Sequence, residues 1–208
     1  MRNIWRSQRL IFRAPESSDE HFLASINSYN SESFQNATHL LPVPQGKAGA
    51  ANYCKFLQGA LLGCIVCIPK PEKADVATID DIQAVPETIP IGTIALLAPD
   101  PTRSHHRNTS VAVSIAYPYQ NKGYGGEAIL WATEWAFQHA NMHRVSIAAF
   151  SFNEGAVRLY QRLGFVLEGR TRQCAWYNGK YHDTIEMGML RDEWVKLYGK
   201  TGETVTVS

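Results

Sequence analysis

Residues 111–128, VAVSIAYPYQNKGYGGEA, constrain this chain more than any other stretch. Val111, Val113 and Ile115 alternate with Ala112, Ser114 and Ala116, the period of two of a strand, and β-branched residues suit a pleated surface. Pro118 stops that strand. Gln120, Asn121, Lys122, Gly123, Tyr124, Gly125 and Gly126 then bring three glycines into four positions, where the backbone can take positive φ and approach a ligand closely. Glu127 opens a helical run directly behind them. A glycine loop that feeds a helix start gathers unpaired N–H groups at the positive end of the helix dipole, which suits a phosphate.

Two known phosphate loops can be tested on these residues. A Walker A loop requires Gly-Lys-Ser/Thr, and here Lys122 precedes the glycines with no hydroxyl after it, so that reading fails. Gly123, Gly125 and Ala128 do satisfy G-x-G-x-x-A, the dinucleotide fingerprint. That fingerprint also needs an acid about 20 residues on to hold a ribose, and the next strand, RVSIAAF at Arg144–Phe150, has none in it or at its end. A dinucleotide site therefore ranks well behind. From the loop alone, a glycine turn that lets a helix pack closely on a sheet is as good a reading as a ligand site.

A second cluster shifts the balance. Residues 153–165, NEGAVRLYQRLGF, form a short helix with a glycine stop, its Ala156, Leu159, Tyr160 and Leu163 sharing one face. Strand, QNKGYGGEA, strand and NEGAVRLYQRLGF, in this order, resemble the Gcn5-related N-acetyltransferase (GNAT) superfamily. The later EGR and the WYNGKYHDTIEMGML hairpin resemble its branch of ribosomal-protein and spermidine acetyltransferases. The likeness covers residues 91–194, with a weaker match at 10–13.

The resemblance implies an α/β (α+β) fold: a central, mixed, mostly antiparallel twisted sheet of six or seven strands, flanked by helices. Two parallel strands, the central one and Arg144–Phe150, splay into a V that holds acyl-coenzyme A. It implies that backbone groups of Ser114, Ile115 and Ala116 bond the pantetheine arm. The loop Gln120, Asn121, Lys122, Gly123, Tyr124, Gly125 and Gly126 would hold the diphosphate, and Asn153 would reach the coenzyme from the other wall. Tyr160 stands where the family often carries a tyrosine that protonates or stabilises the departing thiolate, although tyrosine is also an ordinary packing residue. The implied activity is transfer of the acetyl group of acetyl-CoA to a primary amine, on a small molecule or a peptide N-terminus, by direct attack in a ternary complex.

The general base is open. The family often places a glutamate on the central strand, but residues 111–117 contain no acid. Ser114, Ser151, His105, His106 and Glu168 are candidates, as is proton loss through ordered water, while a backbone N–H near Ile115 would polarise the acetyl oxygen. An acyl-CoA sensor without turnover is the alternative function, and a nucleotide-binding structural domain a more distant one.

The 208 residues suffice for one domain over 1–208, with an insertion at 69–90 and a tail at 201–208. The insertion, rich in acids such as Glu72, Asp75, Asp80, Asp81 and Glu87, reads either as a solvated excursion or as a shield that attracts a cationic amine. In the family, residues 30–49 lie over the acceptor groove, which makes Tyr29, Phe34, His39 and Tyr53 possible contacts. Arg103, His105, His106 and Arg107 lie in the stretch 99–110, which reads most simply as an exposed polar loop, although basic residues beside a coenzyme A site could meet a phosphate. A net charge of +1 points to neither nucleic acid nor anionic membrane. No apolar run approaches the ~20 residues of a membrane span, and the N-terminus lacks a secretory block, so a cytoplasmic location is expected, as monomer or homodimer. Cys54, Cys64, Cys67 and Cys174 show neither a disulfide framework nor zinc spacing, and the pair Cys64-x-x-Cys67, three apart on a strand, reads as buried thiols facing opposite sides. No metal is expected.

Overall fold

In the computed structural model, residues 3–28, 31–38, 40–41, 43, 48–70 and 87–199 are described. Tyr29, His39, most of the insertion and the tail lie outside them. The strands are β1 (Ile11–Arg13), β2 (Leu62–Pro69), β3 (Thr88–Leu96), β4 (Asn108–Ile115), β5 (Arg144–Phe150), β6 (Val166–Tyr177) and β7 (Lys180–Leu190). The helices are α1 (Glu20–Ile26), α2 (Glu32–Gln35), α3 (Ala48–Gly59), α4 (Tyr124–Gln138), α5 (Glu154–Arg162) and α6 (Arg191–Tyr198). The strands make one seven-stranded sheet in the order β1-β2-β3-β4-β5-β7-β6. Every pairing is antiparallel except β4 with β5.

Alternation along the strands divides the core. Phe12, Cys64, Val66, Ile94, Val111, Ile115, Val145, Ile147, Met187 and Met189 pack with α4, α5 and α6 on one face. Ile65, Cys67 and Ala95 pack with α1 and α3 on the other, joined by Tyr53, Ala112 and Ala116. Cys64 and Cys67 thus sit on opposite faces, as their spacing on a strand requires. Both are buried, as is Cys54, while Cys174 is exposed on the edge strand β6.

Asn178 and Gly179, at φ 46° and 79°, form the two-residue turn with positive φ at both positions that matches the twist of the hairpin β6–β7. Ser17 and Ser18 are of the type that caps a helix, yet ahead of α1 they open a short 3-10 turn instead. The buried Asp19 carboxylate takes both terminal nitrogens of Arg13 at 2.7 and 2.6 Å and the Glu16 N–H at 2.9 Å. Helix α4 begins at Tyr124 rather than Glu127, and α2 and α6 have no counterpart in the expected elements.

Burial alone would raise the Asp19 carboxyl, but the Arg13 guanidinium and the Glu16 N–H outweigh it and hold the group below the usual 3.8. A depressed carboxylate contributes stability above its unfolded pKa and loses it as pH falls through the folded one. Asp19→Asn is therefore expected to cost about 2 kcal/mol at neutral pH. The gap between variant and wild type in urea titrations should stay constant above pH 5 and close below pH 3.8.

Candidate active site

The parallel pair β4–β5 is joined only at Asn108↔Arg144, Thr109↔Val145 and Ser110↔Ser146. The junction is reinforced by side chains, because the Ser146 hydroxyl reaches the Ser110 hydroxyl and the Thr109 carbonyl. Beyond it β4 stays with β3 as far as Ile115, and β5 stays with β7 as far as Phe150, so the sheet opens into a V. In β4 the Ser110 carbonyl and the Ala116 N–H bond towards β3. Alternation then turns the backbone groups of Val111 and Val113 towards the gap. Ala116 is satisfied within the protein, its N–H on Ile91 and its carbonyl on Tyr119. The Gln120 side chain donates to the Ile115 carbonyl at 2.8 Å, tying the loop to the strand it leaves.

At the open end of the V, the loop delivers the N-terminus of α4. Asn121 and Gly123 have φ of 59° and 83°, and Gly123 is the N-cap, with no side chain capping the helix. The first helical bond runs from the Glu127 N–H to the Gly123 carbonyl. The N–H groups of Tyr124, Gly125 and Gly126 consequently have no intrahelical acceptor. Gly125 and Gly126 also permit a close approach. A Cβ on Gly126 would stand 3.2 Å from the Leu159 Cδ1 of α5, and one on Gly125 would lie 3.7 Å from Ile115 and 4.0 Å from Leu159. The first turn of α4 thus touches both arms of the V.

Glu127 is fixed by a strap that sequence reasoning missed. Its carboxylate accepts from the Ser7 hydroxyl, the Arg9 N–H and Arg9 Nε, each at 2.7 Å. Burial pushes this carboxyl up, but those bonds and the Arg9 charge together hold it below 4.5. Arg9 also donates through Nη1 to the Lys122 carbonyl at 2.9 Å and lies 4.7 Å from the centre of the Tyr124 ring. No local spacing could have revealed a pairing across 118 residues.

On the other arm, Asn153 caps α5, its Oδ1 accepting from the Ala156 N–H at 3.1 Å, and its Nδ2 donates to the Asn36 carbonyl at 3.1 Å. Tyr160, on the same helix, is 7% exposed and packs beside Phe165. Its hydroxyl has no hydrogen-bond partner among the described residues, and burial pushes the phenol up to about 12. Across the sheet, the Tyr53 hydroxyl meets the Thr93 hydroxyl at 2.9 Å, beside Ser114 in the register of β3 and β4.

The candidates for the base separate in space. Pro101–His106 precedes β4 at its paired end, so Arg103, His105, His106 and Arg107 lie a full strand, roughly 25 Å, from the loop after Ile115. They are exposed, as the simpler reading of this loop has it, and too far from the glycine loop to meet a phosphate seated there. Glu168 is paired with Arg144, also at the closed end. Ser151 is at the open end, but its hydroxyl already accepts from the Asp183 N–H at 3.1 Å. Ser114 remains beside the gap. A separate groove of about 350 Å³, lined by Trp131, Trp135 and Trp194, lies along the later turns of α4 and against α6, away from the loop. Among the described residues no three His, Cys, Asp or Glu side chains gather as a metal site, and no helix is long and apolar enough to cross a membrane.

The model of the acetyltransferase (GNAT) domain matches residues 9–166. The chain belongs to the GNAT family. Among GNAT relatives, it is 33% identical over 87 residues to an uncharacterised prophage-derived N-acetyltransferase, YokL, of Bacillus subtilis, covering 42% of this chain and 49% of the relative. It is 27% identical over 100 residues to spermidine N(1)-acetyltransferase of Escherichia coli (48% and 54%). It is 30% identical over 89 residues to the putative ribosomal N-acetyltransferase YdaF of Bacillus subtilis (43% and 49%). The chain spans about half the length of these relatives. The fold is that of the spermidine N-acetyltransferase of Vibrio cholerae solved with CoA and spermine, at TM-score 0.69 and 21% identity over 91% of this chain and 99% of that one. A GNAT acetyltransferase from Bacillus anthracis matches at TM-score 0.67 and 18% identity over 90% and 98%.

In this GNAT chain Gly123 holds a left-handed conformation, and a Cβ there would stand 3.1 Å from the Arg9 guanidinium. Gly123→Ala is expected to cost about 1–2 kcal/mol, read as a lowered midpoint in chemical denaturation. An unchanged midpoint would contradict the strained geometry.

Proposed function

We propose that this chain transfers the acetyl group of acetyl-CoA to a primary amine, by direct attack within a ternary complex. One observation carries the reading: a single gap in the sheet has a helix start with open amides on one arm and a buried phenol on the other. The residues fit the coenzyme. The amides of Tyr124, Gly125 and Gly126 suit a diphosphate, with Gln120, Asn121, Lys122 and Gly123 shaping its seat. The gap-facing edge of β4 suits the amides of the pantetheine arm, and Asn153 orders the opposite wall. The E. coli relative's name, a spermidine N(1)-acetyltransferase, supports an amine acceptor, either a small amine or a peptide N-terminus.

The chemistry balances as follows. The neutral amine nitrogen bonds to the thioester carbonyl carbon, the C–S bond breaks, and the proton lost by nitrogen ends on sulfur. An alkylamine near ~10.4 is mostly protonated at neutral pH, so a base or water must first take a proton. A phenol near 12 keeps its proton throughout the working range. It is a weaker acid than a thiol near ~8.5, so Tyr160 stabilises the departing thiolate by donating a hydrogen bond rather than by surrendering its proton outright.

Four unpaired thiols suit a reducing compartment, which favours the cytoplasm. The two feet of the insertion, Lys70 and Glu87, are joined by a backbone bond of 2.8 Å and an ion pair. They stand where β3 begins, beside the end of β4. This placement supports a role for the insertion at the acceptor entrance.

Tyr160→Phe is expected to lower kcat by about 10²-fold or more while leaving the acetyl-CoA KM within a few-fold, read as thiol release across a panel of amines. Wild-type kcat should show no alkaline fall up to pH 10, because the phenol is still protonated there. Release with no amine despite firm coenzyme binding would make the chain a sensor instead. Deletion of residues 71–86 should raise the acceptor KM and leave that of acetyl-CoA unchanged, and an unchanged acceptor KM would remove the insertion from the site.

A further inference from the structure

The N-terminal strap ends in a guanidinium placed at the start of α4, where a cation needs a reason to be. The positive end of a helix dipole favours anions, yet this turn holds Arg9 and Lys122 against one carboxylate, Glu127. Lys122 Nζ is turned back onto the Pro118 carbonyl at 2.9 Å. Arg9 spends Nε on Glu127 and one Nη1 proton on the Lys122 carbonyl. Of the five donors a guanidinium carries, Nη2 has no acceptor among the described residues, and it lies 3.1 Å from the position a Gly123 Cβ would take. Its aim is set before any ligand arrives. The residues flanking Arg9 form a narrow hairpin, with Phe12 N–H on the Trp5 carbonyl at 2.9 Å and Arg6 bridged to Ile11. That hairpin is fastened to α4 a second time, by Trp131 Nε1 on the Ile4 carbonyl at 2.8 Å and by Phe12 stacked on Trp131 at 3.5 Å.

We propose that Arg9 is a coenzyme-binding residue: its free Nη2 edge contacts the diphosphate of CoA seated on the amides of Tyr124, Gly125 and Gly126, while Glu127 and Ser7 hold it there. The assignment rests on the coenzyme reading of the V and adds to it a charged ligand from the far end of the chain. A planar fork suits the task, since one edge can clamp the loop while the other meets a phosphate.

Calorimetric titration with CoA and with dephospho-CoA, which lacks only the 3′-phosphate, tests it. Arg9→Ala should weaken both ligands by the same factor, about tenfold to a hundredfold, and should flatten the salt dependence of binding by removing one charge. Unchanged affinity in folded Arg9→Ala would overturn the assignment. So would a loss confined to CoA, which would place Arg9 on the 3′-phosphate, or a loss with unaltered salt dependence, which would mark a merely structural strap. If circular dichroism shows Arg9→Ala unfolded, Arg9→Lys against Arg9→Gln reads the charge directly: Lys should bind at least about tenfold more tightly than Gln, and equal affinities would overturn the assignment. Wild-type protein that binds neither ligand would end the coenzyme reading itself, and this one with it.

Discussion

The structure depends on where a parallel strand pair stops. Strands β4 and β5 share three register pairs and then part. A parted pair leaves backbone edges that must find partners elsewhere. On the outer sides β3 and β7 provide them, so each arm of the V is half of a continuous antiparallel sheet. The inner edges face each other across the gap with no strand between them. Ser146, bonded to Ser110 and to the Thr109 carbonyl, fixes the depth at which the gap begins. An extended ligand with amides of its own is the kind of guest such edges can bond, so the gap is a binding element by construction.

A gap would weaken the sheet if nothing spanned it. The first turn of α4 does so, with Gly125 against Ile115 of β4 and Gly126 against Leu159 of α5. The same glycines that free amides for a phosphate therefore also let two helices meet over the opening, and both readings of a glycine turn hold at once. The strap of Ser7 and Arg9 on Glu127 works in the same direction, since it anchors this turn to the edge of the sheet. Electrostatically the carboxylate within the first turn of α4 offsets part of the positive end of the dipole, and the Arg9 charge restores it. The balance leaves the turn cationic.

What the sequence could reveal followed the range over which its signals act. The central strand, the strand Arg144–Phe150 and the hairpin turn at Asn178-Gly179 are set by neighbours within a few residues and stand where periodicity and turn chemistry put them, while the glycine loop is shorter than it reads, since Gly125 and Gly126 already belong to α4. Helix α6, with its wide polar face and no glycine or proline to mark its start, gave no such local signal; it is held by Trp194 against Phe137. At the start of α1 a serine pair is the usual capping type, but the side chain that orders the turn is Asp19, held by Arg13 on a neighbouring strand. The basic loop 103–107 is exposed, and only its alternative as a phosphate contact falls away. It is next to the central strand in sequence but at the opposite end of that strand from the glycine loop, and adjacency along a chain says nothing about which end of a strand a loop occupies. Arg9 and Glu127, 118 residues apart, could be joined only by the fold.

The proton inventory shows how little side-chain chemistry such a site requires. Acyl transfer from a thioester to an amine ends with one proton moved from nitrogen to sulfur, and a thiolate near ~8.5 is a tolerable leaving group without full protonation. A donor that never ionises is then preferable to one that does, because a phenolate at the same spot would repel the departing anion. Tyr160, proposed above for this place, is 7% exposed, and burial penalises its charged form. At the other end of the reaction, three of the candidate bases stand at the closed end: Glu168 with Arg144, and His105 and His106 before β4. Ser114, beside the Tyr53–Thr93 hydroxyl pair, is the candidate that the fold leaves next to the gap, so a proton lost there must travel through hydroxyls or water rather than to a carboxylate of β4.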